Sequence, residues 1–201
     1  MQRNIAKRLE SRSPRLQYGK VPGLLNELQL RPEVAARVLQ LIILSACRPT
    51  EVMNARWQDI DWRTLRWTIP AANTKSGRTH IVPFVPAMAT VLISLRGLDE
   101  ECLLPRSWAR SWAVLQISAL LRRMGYKAIV PRDFRLCFFD WAVDQGRYSQ
   151  PLICKALGHD ASTDPCEPAA NTESLRERWH LMQAWSLYCL SESLTGYLDE
   201  A

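Results

Sequence analysis

The sequence predicts a mainly α domain that carries one small β-hairpin, and three observations predict it. Apolar residues recur every three or four positions through Val34, Ala35, Val38, Leu39, Leu41, Ile42 and Ile43, and again through Leu175, Trp179, Met182 and Trp185, the spacing of a buried helical face. Two short stretches of strand composition, 65–70 and 79–83, flank the turn-forming run Thr74-Lys75-Ser76-Gly77-Arg78. With 201 residues, 47% of them apolar, the chain can bury a sizeable core.

Taken in order, residues 22–30 read as a short helix, and Pro32 is expected at the first position of the next, where a missing N–H costs nothing. That second helix should end near Cys47, because Arg48 precedes a proline and is biased out of α geometry. Thr50 is expected to cap a helix from Glu51 to about Trp57, so that Arg48 falls in a sharp break between two helices. The hairpin follows, with Lys75 near its tip. Helices are then expected over 86–96, over 108–124 up to Gly125, and from Pro131 to Gly146, with a short extended piece at 101–105. Ser149 is the expected cap of a further helix that Gly158 closes, and His159 comes directly after it. Residues 160–171 contain two prolines and no apolar periodicity, which predicts a loop before a final helix from Thr172 to about Leu190. No internal repeat and no linker between two domains is visible.

The net charge of +6 is concentrated at one end: Arg3, Lys7, Arg8, Arg12, Arg15 and Lys20 against Glu10 leave residues 1–20 at +5. The expected organisation is a basic N-terminal arm over 1–21 and one folded domain over 22–201. Such an arm can add salt-dependent affinity for a phosphate backbone, although basic arms also occur on proteins that bind no DNA. The six cysteines form no C-x-x-C pair, so buried free thiols are expected rather than a zinc site or a disulfide framework. No apolar run is long enough to span a membrane and no signal-peptide pattern opens the chain, so a cytoplasmic location away from membranes is expected.

Four residues carry candidate chemistry: Arg48, Lys75, Arg135 and His159. Each has a bland alternative. Arg48 reads equally as a helix-end cation, Lys75 as a solvated turn lysine, Arg132 and Arg135 as a solvated stripe on one helical face, and His159 as a helix cap.

Their order and surroundings nevertheless resemble the catalytic domain of the phage-integrase family of tyrosine recombinases. The resemblance is carried by Ala46-Cys47-Arg48-Pro49-Thr50-Glu51-Val52, Ala55-Arg56-Trp57-Gln58-Asp59-Ile60-Asp61 and Trp67-Thr68-Ile69-Pro70. It continues through Thr74-Lys75-Ser76-Gly77-Arg78-Thr79-His80-Ile81-Val82-Pro83, Pro131-Arg132-Asp133-Phe134-Arg135, Ala156-Leu157-Gly158-His159 and Leu181-Met182-Gln183-Ala184-Trp185. It covers roughly residues 22–190, and its strength lies in order and spacing rather than in any single piece. It implies a mainly α fold with a small β-hairpin or three-stranded sheet, double-stranded DNA as partner, and no metal or cofactor. It also implies a homo-oligomer or pairing with an active recombinase. In that family a tyrosine attacks a DNA phosphate. By resemblance Arg48 and Arg135 clamp the non-bridging oxygens, Lys75 protonates the leaving oxygen, and His159 donates to the phosphate, while Glu51 holds the turn.

Two positions depart from the family pattern. Arg132 stands where a histidine is common; a guanidinium can bind phosphate but cannot serve as a general base. The nucleophile position falls on Ala169, or on Pro168 one residue earlier, and no tyrosine lies between Tyr148 and Tyr188. Cys166, Ser162 and Thr163 lie in the same loop without an evident activating base. With only 47 residues before Arg48, the family's N-terminal core-binding domain is expected to be missing. The expectation is therefore a DNA-binding integrase-type protein of a mobile element, associated with recombination and integration, that does not cleave DNA by itself. Two alternatives are an active recombinase with a substitute or trans-supplied nucleophile, and a remnant that no longer binds DNA.

Overall fold

The computed structural model describes residues 16–108, 110–159 and 172–192. Its helices are α1 (Val21–Gln29), α2 (Val34–Ser45), α3 (Pro49–Met53), α4 (Pro86–Leu95), α5 (Arg110–Arg123), α6 (Phe134–Asp144), α7 (Gln150–Ala156) and α8 (Thr172–Cys189), with strands β1 (Ile60–Asp61), β2 (Arg66–Ile69) and β3 (His80–Pro83) between α3 and α4. The mainly α reading with a small sheet holds at this level. The three strands form one antiparallel sheet in the order β1-β2-β3.

Helix α2 is the hub. Every residue from Val38 to Ser45 is buried, and α1, α4, α5, α6 and α8 all pack against it. An unbroken apolar run of helical length can be enclosed in this way because the helix satisfies its own backbone groups. Its buried polar groups are bonded: Gln40 Nε2 donates to the Leu28 carbonyl of α1 (2.8 Å), and Trp185 Nε1 of α8 donates to the Ile43 carbonyl (2.8 Å). The helix starts two residues later than Pro32 predicts. Glu33 is the extended N-cap residue, and its carbonyl accepts the Ala36 N–H (2.9 Å), leaving Pro32 in the approach to the helix.

The next start is also displaced from expectation. Arg48, not Thr50, is the N-cap of α3, and Pro49 takes the first helical position. Helix α3 is only one turn and a half long; Trp57 lies in a separate 3-10 turn, Trp57–Asp59. Helix α5 likewise begins at Arg110 rather than Trp108.

In the sheet, Trp67 faces Val82 and Ile69 faces His80 across β2 and β3. Period-2 alternation puts these four side chains on the buried face. Beyond the paired residues, the Thr74 hydroxyl donates to the carbonyls of Ala71 (3.0 Å) and Arg78 (2.8 Å), closing the tip that carries the exposed Lys75. At the entrance to the domain Leu16 is buried, and its carbonyl accepts from Cys137 Sγ (3.3 Å).

Candidate functional site

Arg48 is placed by backbone restrictions on both sides. Ala46, after α2, adopts a left-handed conformation (φ 51°), which costs an alanine about 1–2 kcal/mol. Pro49 holds Arg48 extended at φ −68°, ψ 143°. Glu51, with 1% of its surface exposed, then binds Arg48 twice: the Arg48 N–H donates to Oε2 (2.7 Å) and Nη1 to Oε1 (2.6 Å). One carboxylate therefore serves as helix-start acceptor and as counter-ion to the guanidinium. The Arg48 side chain remains 19% exposed.

Arg135, on α6, is only 8% exposed and holds two remote segments together. Nη1 donates to the Ala46 carbonyl (2.6 Å), and Nη2 donates to the Leu157 carbonyl (2.6 Å) while lying 3.3 Å from His159 Nε2. The solvated-stripe alternative thus does not apply to Arg135. Burial and the neighbouring Arg48 hold its guanidinium below the usual arginine value.

His159 is set by the end of α7. Ser149 caps that helix, its hydroxyl accepting the Leu152 N–H (3.4 Å). At the other end Gly158 takes the left-handed conformation (φ 60°), with Gly158 N–H donating to Lys155 O (3.0 Å) and His159 N–H to Cys154 O (2.9 Å). This pair of bonds is a Schellman closure, and it fixes where the residue after the glycine emerges. Burial, then Arg135 and Arg48, push the imidazole below 6.5, so it is neutral at pH 7. Because a guanidinium only donates, the contact with Arg135 requires the lone pair of Nε2 and leaves the proton on Nδ1.

Lys75 is exposed, and its positive charge is the weakest of those that lower His159. Arg132 behaves differently: it is exposed on the 3-10 turn Pro131–Asp133, with no contact to Arg48, Arg135 or His159 among the described residues. Ala169, Pro168, Cys166, Ser162 and Thr163 lie outside the described residues, as does the arm before Leu16. The two tyrosines that bracket that stretch belong to an aromatic cluster. Trp141 lies 6.1 Å from Tyr148 and 5.7 Å from Tyr188, centroid to centroid, and the Tyr188 hydroxyl donates to the Tyr18 carbonyl (3.4 Å).

Two residues at the site are not among the four candidates, although His80 lies within the run 74–83 that carries the resemblance. His80, 9% exposed, lies under the His159 turn, and Arg178 of α8, 6% exposed, donates through Nη1 to the Ile81 carbonyl of β3 (2.7 Å). The signal was present in the periodicity: His80 alternates with Val82, and Arg178 falls midway between Leu175 and Leu181 on the apolar face of the last helix. Burial, then Arg178, Arg135 and Arg48, lower His80 to about 3. The unfolded chain therefore takes up a proton below 6.5 that the folded chain refuses until about pH 3. Stability contributed by neutral His80 is complete above pH 6.5 and is lost as pH falls. Urea unfolding at pH 5 is expected to show a loss of about 2 kcal/mol relative to pH 7.5 from this group, at about 1.4 kcal/mol per pH unit. His80→Gln should remove that part of the slope.

Arg48, Arg135 and His159 thus come from three separated segments to one place, with Glu51 as the carboxylate among them. This arrangement favours an anion with several acceptor oxygens. Among the described residues no three His, Cys, Asp or Glu side chains gather as a metal site, and Cys47, Cys102, Cys137, Cys154 and Cys189 are free thiols.

Comparison with known proteins finds relatives among the phage integrases. The chain is 25% identical over 148 residues to the prophage integrase IntA of Escherichia coli K12, and 26% identical over 197 residues to the integrase of Enterobacteria phage P4. It is related to the phage integrases. A further relative, the prophage integrase IntZ of Escherichia coli K12, is 27% identical over 145 residues. These alignments cover 72%, 87% and 70% of this chain but only 36%, 45% and 36% of the relatives, so the integrase relative described here spans less than half of their length. No family model matches the chain, and no solved structure matches it. No described helix is long and apolar enough to cross a membrane.

Proposed function

We propose that this chain is a DNA-binding protein of the integrase type, acting in site-specific recombination or integration of a mobile element, and that it holds a DNA phosphate without cutting the strand by itself. The observation that carries the reading is Arg135, which bonds the Ala46 carbonyl two residues before Arg48 and the Leu157 carbonyl two residues before His159 and lies 3.3 Å from His159 Nε2. Relatedness to phage integrases makes a phosphodiester the fitting anion.

In this reading Arg48 offers the guanidinium donors that Glu51 leaves free. Arg135 holds the Ala46 and Leu157 carbonyls in place and faces the same anion. His159, neutral with its proton on Nδ1, can donate one hydrogen bond to a phosphate oxygen, and Lys75 can reach over from the hairpin to supply a proton to a leaving oxygen. Arg132, outside the cluster, would contact the DNA backbone as a point of attachment only. What the set lacks is an attacking group, since Ala169 occupies the nucleophile position and Tyr148 and Tyr188 are packed on Trp141. The partner is double-stranded DNA, with assembly beside an active recombinase as the route by which such a chain takes part in strand exchange.

The test is duplex-DNA binding measured against salt for wild type and Arg48→Ala. Loss of one phosphate contact is expected to weaken binding at every salt concentration and to lower the slope of log affinity against log salt by about 1. Equal affinities and equal slopes would sink the reading.

A further inference from the structure

We propose that His80 is a positioning residue for the phosphate site: from the first position of β3, at the root of the Lys75 hairpin, its ring is the platform on which the Gly158-His159 turn rests. The proposal takes the phosphate-site reading as its setting and adds a residue that does not itself touch the anion.

The contact is close and specific. A β-carbon placed on Gly158 would lie 3.1 Å from Cγ and 3.2 Å from Cδ2 and Nδ1 of the His80 ring, so the imidazole is packed directly against the glycine backbone. Gly158 is thus required twice, for its left-handed φ of 60° and for the space its missing side chain leaves to the ring. A single side chain therefore packs against the residue that directly follows Leu157, whose carbonyl Arg135 grips.

His80 is itself held from two directions. Its Ile69 partner across the sheet fixes the strand register, and Arg178 of α8 clamps the following carbonyl, that of Ile81, at 2.7 Å. The charges that act on it most strongly are those of Arg178, Arg135 and Arg48, all positive. The ring therefore stays neutral and can serve as a packing and hydrogen-bonding piece inside a cationic cluster, where an added charge would be repelled. The consequence is a mechanical link: the hairpin that carries Lys75 and the turn that carries His159 meet through His80, so their separation across the anion site is set by one ring.

The experiment reads the position of His159 without DNA. The chain has three histidines, and 15N-labelled imidazoles followed by NMR against pH resolve the titration of each. In wild type His159 should titrate below 6.5, because it is partly buried and Arg135 and Arg48 are near it. With His80→Ala the turn loses its support, and the His159 midpoint is expected to rise toward 6.5. His80→Gln, which keeps a donor and similar volume, should restore the wild-type midpoint. If His80→Ala does not fold, His80→Asn, too short to fill the space under Gly158, replaces it with the same expectation. A folded Ala or Asn variant whose His159 midpoint equals that of wild type overturns the proposal, because a merely structural His80 would lower stability and leave that midpoint alone. Since no DNA is present, failure here is separate from failure of the Arg48→Ala binding test.

Discussion

Arg135→Ala is expected to lower unfolding stability by about 2–4 kcal/mol, measured as a shift in urea midpoint at unchanged slope. The reason is the pair of bonds the guanidinium makes inside the domain, to the buried Ala46 and Leu157 carbonyls at 2.6 Å each. Each buried acceptor left unpaired costs about 1–3 kcal/mol, and some of that is offset because the cost of burying a guanidinium beside Arg48 disappears. Lysine offers one compact ammonium in place of a two-armed fork. Arg135→Lys should therefore satisfy one carbonyl and fall between wild type and alanine. A loss below about 0.5 kcal/mol for Arg135→Ala, the range of ordinary surface substitutions, would show that the two bonds are not structural supports. The practical consequence is that weakened DNA binding in Arg135→Ala reports a displaced site as much as a lost contact. Arg48, partly exposed and bonded within the domain only to its neighbour Glu51, is the better probe of phosphate binding.

Incubating the wild-type chain with a nicked duplex that traps covalent intermediates is expected to give no protein-DNA adduct on a denaturing gel, at any pH. Covalent transfer needs a nucleophile that lies in line with the leaving oxygen and is activated. Tyr148 and Tyr188 are engaged with Trp141, and the Tyr188 hydroxyl is already bonded to the Tyr18 carbonyl. Burial also raises the Tyr188 pKa, which makes its phenolate harder to form. Ala169→Tyr restores the residue type at the position the family resemblance gives to the nucleophile, and an adduct is expected to appear in that variant alone. An adduct with wild type would refute the non-cleaving assignment and turn attention to a nucleophile within 160–171 or one supplied by another subunit. If Ala169→Tyr stays silent while Arg48→Ala still weakens DNA binding, the missing general base at Arg132 becomes the limiting defect.

Much of the fold can be read from local pattern. The period of α2 and α8, the two strand-like runs around Thr74-Lys75-Ser76-Gly77-Arg78, the Ser149 cap and the Gly158 stop all appear where sequence periodicity and capping chemistry put them. The misplacements are at helix starts and at the end of α3, which stops at Met53 rather than near Trp57. Threonine is a good cap in general, but Pro49 both forces Arg48 extended and fills the first helical position, so the cap moves to Arg48, whose own N–H donates to the Glu51 carboxylate. Choosing between Arg48 and Thr50 required knowing that the Glu51 carboxylate is buried and turned back onto Arg48, which is a tertiary fact.

By itself, the sequence determined the order of helices, the hairpin, the four candidate residues Arg48, Lys75, Arg135 and His159, and the alanine at position 169, because these follow from residue type and spacing along the chain. Only the tertiary structure decided that Arg135 is buried as a brace while Arg132, three residues away, stays exposed and apart. It also decided that His80 and Arg178 sit inside the cationic cluster. Contacts between residues tens of positions apart depend on how helices and sheet pack around α2, and a local pattern carries information about which face is buried but not about what lies against it.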